Sequence, residues 1–342
     1  MARKTIKDIA RESGYSTGTV SRVLNDSGPV SEAARNKIME IVDKYGFQLN
    51  TNAKFLKQRM PDGIAVIIRG THNLLFASLV ELIQQRIERA GYSASMFYLE
   101  EEGDEVQEAI EICQKYLPEG LLFLGSSRQH FMQNFSKIPV PAVMVTNSAD
   151  GFGFRNLGSV TTNDSVAAQV VVDTLLRLGH KKIGVLGGDV GISQAALARY
   201  QGVQYTLYDH DLNFDVKSQY FEGDFSIEAG YEGMDYLLDH NPDMTAVFAM
   251  ADVMAMGAIR AAYDRGLRVP EDISVVGYDG IAQAAYTVPR LATIVQNQDD
   301  MAEKSVAMLL SMIEQGASPE YLESPFQFVE GESLRACTGN EV

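Results

Sequence analysis

Several polar and aromatic side chains stand where apolar runs of this chain end, and together they have the chemistry to hold a small molecule. Arg69 and Asn73 follow the run 64–68, Asp252 follows 246–250 and Asp279 follows 273–277. Phe225 comes after a short stretch at 219–221, Arg199 lies near the start of an amphipathic segment, and Gln296 and Gln298 stand where the chain leaves the run 292–296. Phe76 and Asn163 complete the set. Planar guanidinium, carboxylate and carboxamide groups fork onto hydroxyls, and rings lie on the face of a sugar, so the chemistry in view is capture of a polyhydroxylated ligand. Arg69 and Arg199 also suit a phosphate. Catalysis has no comparable support. No Gly-x-Gly-x-x-Gly follows the first apolar run, no Gly-Lys-Ser/Thr loop exists, and no Gly-x-Ser-x-Gly nucleophile elbow is present. His72, His130, His180, His210 and His240 fall in no metal-ligand spacing, and His180, in a Gly-His-Lys-Lys turn, reads as structural. A protein that is not an enzyme, with no catalytic residue, cofactor or metal, is expected.

A second set of candidates sits near the start of the chain. Ser16, Thr19, Ser21, Asn25 and Ser31 are short hydroxyl or amide donors suited to phosphates, Thr17, Gly18, Ser21 and Arg22 face outward, Arg22 alone able to fork onto guanine, and Thr5 joins the DNA-binding candidates. The elements that position them are three short helices. Thr5 and Asp8 form a capping box ahead of Ile6, Ile9 and Ala10, and Gly14 ends that helix. Ser16 caps a second helix with Val20, Val23 and Leu24 inward. Residues 25–29 form a loop, and Ser31 caps a third helix carrying Ile38, Ile41, Val42 and Tyr45. Two short helices joined by a tight turn make a helix-turn-helix. Charge agrees: residues 1–60 hold 11 Lys+Arg against 6 Asp+Glu, whereas the remainder holds 18 against 39. A basic head on an acidic body points to an anionic partner for the head alone.

Beyond residue 62 apolar strands alternate with amphipathic helices. Strands are expected at 64–68, 95–99, 121–124, 142–145, 183–187, 246–250, 273–277 and 292–296. Helices are expected at 75–90, 106–116, 166–178, 194–208, 227–239, 253–265 and 299–315. Continuous apolar strands between helices mean parallel sheets covered on both faces. The fold class is therefore a small all-α helix-turn-helix head plus an α/β body of two doubly wound parallel-sheet subdomains. The expected division is 1–48 for the head, 49–61 for a hinge and linker, 62–161 with 291–322 for one subdomain, and 162–290 with 323–342 for the other. Such sheets bind ligands beyond the carboxyl ends of their strands, here in the cleft between subdomains.

The chain has 342 residues and two widely spaced cysteines, Cys113 and Cys337, read as unpaired thiols. It has no apolar run of membrane-spanning length, and its first residues lack a secretory signal, so a cytoplasmic protein without membrane contact is expected.

Thr5-Ile6-Lys7-Asp8-Ile9-Ala10, Gly14-Tyr15-Ser16 and the highly specific Thr19-Val20-Ser21-Arg22-Val23-Leu24-Asn25 resemble the head of the lactose-repressor (LacI/GalR) family of bacterial transcriptional regulators. In the body, Leu178-Gly179-His180-Lys181-Lys182-Ile183, Arg199-Tyr200-Gln201-Gly202, Gly223-Asp224-Phe225 and the stretch 269–279 ending at Asp279 are similar to family blocks. The resemblance implies a body of periplasmic-binding-protein type. It implies an arginine (Arg199) and an aspartate (Asp279) gripping effector, an aromatic (Phe225) lying on it, and a hinge helix whose Asn50, Ala53 and Leu56 meet the minor groove. It also implies a homodimer on double-stranded, near-palindromic operator DNA, commonly a repressor of carbohydrate use released by a sugar. Leu49 stands where the family usually has proline, Ala251 where it has asparagine, and Ala195 where serine is frequent. A purine or sugar-phosphate effector stays open at this stage. The competing classes are a sugar receptor that binds no DNA and a two-lobed enzyme.

Overall fold

The structure, a computed structural model, describes residues 6–24, 30–45, 63–70 and 73–337. Two compact units divide at residue 59.

The first unit contains α1 (Ile6–Ser13), α2 (Thr17–Leu24) and α3 (Glu32–Tyr45). Ile9, Ala10, Val20, Val23, Ile38, Ile41 and Val42 close its core, at the three-and-four spacing of helices that share one apolar centre. Gly14 ends α1 with φ +77°, and the Ser16 and Ser31 hydroxyls accept the amides of Thr19 (3.1 Å) and Ala34 (3.4 Å), capping α2 and α3. Tyr45, expected inward, is instead exposed, and its hydroxyl donates to Glu12 at 2.7 Å. Residues 14–18 spell Gly-x-Ser-x-Gly, but they join two helices and the serine caps one of them.

In the second unit the elements run β1 (Gly63–Arg69), α4 (Leu74–Arg89), β2 (Ser93–Leu99), α5 (Glu105–Tyr116), β3 (Gly120–Leu124), α6 (Arg128–Asn134), β4 (Ala142–Val145) and β5 (Leu157–Thr162). There follow α7 (Asp164–Arg177), β6 (Ile183–Gly187), α8 (Gln194–Asp209), α9 (Val216–Gln219), β7 (Tyr220–Glu222), α10 (Ile227–His240), β8 (Ala246–Ala249) and α11 (Asp252–Asp264). The chain ends with β9 (Ser274–Asp279), β10 (Ala292–Gln296), α12 (Gln298–Gln315), β11 (Tyr321–Ser324) and β12 (Phe326–Val329). Two six-stranded sheets result, ordered β11-β5-β4-β3-β1-β2 and β12-β10-β9-β8-β6-β7. All pairings are parallel except β10 with β12. β3, β4, β6 and β8 are buried at every position, the burial on both faces that their uninterrupted apolar sequences require.

The chain crosses between sheets after β5, after β10 and after β11. This corrects the expected division, which placed 291–322 with the first sheet. β10 lies beside β9 in the second sheet, Ala292 opposite Val276, because a short connection delivers it to the neighbouring edge before the chain crosses over. Only then does α12 pack on the first sheet and on α4, with Leu309 and Ile313 filling the space over Gly120. The return comes after Ser324, two residues later than the sequence reading placed it.

Close helix packing in the second half depends on glycine. A Cβ on Gly230 of α10 would stand 2.1 Å from the Met254 carbonyl of α11, and one on Gly257 would stand 2.0 Å from the Ile227 carbonyl. His180 is structural as expected, its ring nitrogens 3.0 Å from Thr245 Oγ1 and 2.9 Å from the Arg335 carbonyl, with burial lowering its pKa.

Candidate ligand cleft and nucleic-acid interface

Between the carboxyl ends of the two sheets lies a cavity of about 420 Å³. Of the ten side chains expected there, Arg69, Asn73, Phe76, Arg199, Phe225, Asp279 and Gln296 line it. The first sheet presents Arg69 at the end of β1, with Asn73 and Phe76 at the start of α4. Asn73 Oδ1 caps that helix by accepting the Leu75 amide at 2.9 Å. Gly125 lets this corner close, since a Cβ there would sit 2.3 Å from the Arg69 carbonyl and 2.9 Å from the Phe76 ring. Arg69 Nη1 is 3.5 Å from Oε2 of the buried Glu105, which also meets His130 Nδ1 at 2.8 Å. Asp104, Glu105 and His130 thus form a cluster of possible metal ligands, yet a guanidinium already supplies positive charge beside it.

The second sheet presents a buried ionic network. Arg199 reaches inward from α8, Nε donating to Asp164 Oδ1 at 2.8 Å and Nη1 to the Met250 carbonyl at 2.5 Å. Its Nη2 is 3.9 Å from Asp279. The guanidinium lies 3.7 Å over the Tyr278 ring, whose hydroxyl donates to Asp164 at 2.7 Å. Burial opposes the charge of Arg199, but the nearby carboxylates, Asp164 foremost, outweigh it and hold its pKa above the ordinary value. Asp279, at the end of β9, has φ +114°, a conformation that costs a non-glycine residue energy and aims its carboxylate at the cavity. Burial pushes its pKa up to about 7 against the opposing pull of Arg199 and of Gln296, whose Nε2 donates to Asp279 at 2.8 Å.

Three expected residues do not line the cavity. Asp252 is fully buried beneath it, accepting Thr293 Oγ1 at 2.5 Å and the Ile281 amide at 2.8 Å, because the first residue of α11 turns under the end of β9. Burial, then Asp279, raises its pKa to about 8. Asn163 caps α7 and donates to Glu323 at 3.0 Å, at a half-buried position where the chain leaves β5. Gln298 opens α12 on another face, paired with Ser78.

The sequence reading missed Ser126, Ser127, Thr146 and Asn147, which line the cavity beyond β3 and β4. They follow the apolar runs 121–124 and 142–145, so the positional rule that singled out Arg69 and Asp279 would have found them.

In the first unit, Ser16, Thr17 and Gly18 are exposed at the amino end of α2, Thr19 is half-buried, and Arg22 is exposed one turn on, its Nε 3.4 Å from the Gly18 carbonyl. That is the arrangement of a recognition helix whose first turns enter the major groove. Ser31 is exposed at the start of α3. Thr5, Asn25, Asn50, Ala53, Leu56 and the Ser21 side chain lie outside the described residues.

Comparison with known proteins gives a consistent picture. Residues 5–50 match bacterial regulatory proteins of the lacI family, and residues 172–334 match the periplasmic binding protein-like domain. The HTH-type transcriptional regulator MalR of Clostridium butyricum is 32% identical over 336 residues, spanning 96% of this chain and 98% of the relative. Two solved structures align along nearly the whole chain. The transcriptional regulator CelR–cellobiose complex has a TM-score of 0.73 at 25% identity, covering 97% of this chain and 100% of that one. The lac repressor dimer bound to operator and the anti-inducer ONPF has a TM-score of 0.73 at 26% identity, covering 98% and 100%. No helix among the described residues is long and apolar enough to cross a membrane.

Proposed function

Because this chain belongs to the lacI family of bacterial regulatory proteins, we propose that it is a transcriptional repressor of carbohydrate-use genes, working in the bacterial cytoplasm, whose hold on a palindromic operator is set by a polyhydroxylated effector in the cleft between its two sheets. The observation that carries the effector reading is the Arg199–Asp279–Gln296 network facing Phe76 and Phe225 across one cavity. Arg199 and Asp279 fork onto hydroxyls, and the two rings offer an apolar face to a sugar. The solved CelR complex holds cellobiose, and the lac repressor binds operator as a dimer. Two copies of this chain would likewise present two recognition helices to the two half-sites of one operator.

The mechanism follows from where the cavity lies. A ligand touching both sheets favours one angle between them, and a preference of about 1–3 kcal/mol for one state is enough to change operator affinity some 5–150-fold. Arg69 and Asn73 hold the ligand from the first sheet, Arg199 and Asp279 from the second. No bond is made or broken, so the ligand leaves unchanged.

The test is a thermal-shift panel of mono- and disaccharides on the full-length protein, followed by operator binding with and without each hit. A stabilising sugar that changes operator affinity at least about fivefold is the expected result. A panel without a hit, or a sugar consumed on incubation, overturns the proposal.

A further inference from the structure

The outer face of α8 is unlike the rest of this acidic molecule. Inward, Val203 and Leu207 of α8 pack with Val185 and Phe248 on one face of the second sheet, while Met234 and Leu237 of α10 pack with Leu186 and Val247 on the other. Outward, at spacings of three and four, α8 shows Leu197, Gln201, Gln204, Tyr205 and Tyr208, with Tyr205 61% and Tyr208 82% exposed. The one charged residue between 194 and 208 is Arg199, and it is buried. Across the sheet, α10 turns Glu228, Glu232 and Asp239 to solvent. The chain has a net charge of −16, and beyond residue 60 it holds 39 Asp+Glu against 18 Lys+Arg, so two copies repel. They approach at least cost where neither brings a charge, and the α8 stripe is such a place. A basic partner would gain nothing from this stripe and much from the acidic surface elsewhere. Tyrosine, with an apolar ring and a polar tip, is also a side chain that interfaces favour. The exposed Tyr263 stands across the sheet on α11, and Tyr286 and Val288 stand in the link from β9 to β10, so the operator-reading dimer has other apolar surface to use.

We infer that a second copy docks on this stripe, α8 against α8 across a two-fold axis, and that the contact joins two operator-binding dimers into a tetramer. This rests on the reading of the protein as a dimer on DNA. A two-fold contact sets Tyr205 and Tyr208 of one copy against the same stripe of the other, so no complementary surface is needed elsewhere. A 16-residue helix offers a face about 24 Å by 10 Å, well short of the roughly 800 Å² a side of a standard stable interface. One such contact is weak, but a closed pair of dimers makes it twice. The tetramer carries two pairs of recognition helices and can hold two operators at once.

Sedimentation velocity of the full-length protein tests this. Between about 1 and about 200 μM, dimers at the low end are expected to give way to tetramers at the high end. Raising salt from about 0.05 to about 0.5 M should strengthen the tetramer, because screening removes the repulsion between acidic bodies. Gln201→Glu nearly keeps the shape of the stripe and brings like charges together across the axis, so it should weaken the tetramer at least about fivefold. Tyr205→Glu with Tyr208→Glu should leave dimers at every concentration, with the parent's melting temperature, since both side chains are exposed. A parent that stays dimeric to the top of the range, or a tetramer that weakens with salt, overturns the contact and leaves the dimer reading standing. Variants that assemble like the parent overturn it too, and so do variants that fall to monomers, which would make α8 the dimer face itself. A parent that is monomeric throughout overturns both readings.

Discussion

Thr162 Oγ1 donates to Gln296 Oε1 at 2.9 Å, so the last residue of β5 in one sheet holds the last residue of β10 in the other. The same carboxamide donates through Nε2 to Asp279 at 2.8 Å. One buried side chain therefore joins the strand where the chain first leaves sheet one to the carboxylate that faces the cleft. Gln296→Ala should cut this tie and leave Asp279 without its neutral partner. Sugar affinity measured by calorimetry should fall by roughly tenfold or more, the scale of a hydrogen bond to a charged group. A variant with unchanged affinity would show that Gln296 serves packing alone.

Asp252 makes stability depend on pH in an uncommon direction. Its pKa rises from an ordinary 3.8 to about 8 because it is buried. The native state thus binds this proton more tightly than the unfolded chain does. Its contribution is fully favourable below about pH 4 and is lost as the pH rises through about 8. Asp252→Asn keeps the shape and removes the titration. Urea unfolding should show the variant losing less stability than the parent between about pH 5 and about pH 8. Parallel pH profiles would refute the assignment.

Arg22 is the exposed guanidinium of α2. Arg22→Ala should relax base choice at one position in each half-site, costing roughly 1–3 kcal/mol per lost bidentate contact. Selection of bound sequences from a random pool should reveal this as one degenerate position. Recovery of the parental consensus would remove Arg22 from the reading surface.

Gly230 meets the Met254 carbonyl so closely that any side chain forces α10 and α11 apart. Gly230→Ala should lower the unfolding free energy by about 1–3 kcal/mol, the usual result of overpacking. Thermal melts followed by circular dichroism would settle it, and an unchanged melting temperature would mean that the helix pair yields freely.

Periodicity made most of this fold legible. Ile9, Val20 and Ile38 mark helix faces, and the runs at 121–124 and 246–250 mark buried strands. The sequence did not disclose to which sheet a strand belongs once the chain starts to cross, so β10 was assigned to the wrong side of the cleft. The positional rule for the site picks out Arg69 and Asp279, which line the cavity from the strand ends. It failed for Asp252, because standing just beyond a strand does not determine whether a carboxylate faces the opening or turns beneath it. Ser126 and Asn147 escape it, since short polar residues after a strand look like ordinary loop.

Three separate passages of chain link the two sheets, after β5, β10 and β11. Mechanically they act like the knuckles of a door hinge: side by side, they leave rotation about their common line easy and make twisting or sliding hard. A protease that nicks any one of them leaves the halves tethered by two others, so a clipped molecule would stay whole until the fold itself is lost. Neither half can be excised as one uninterrupted stretch of sequence.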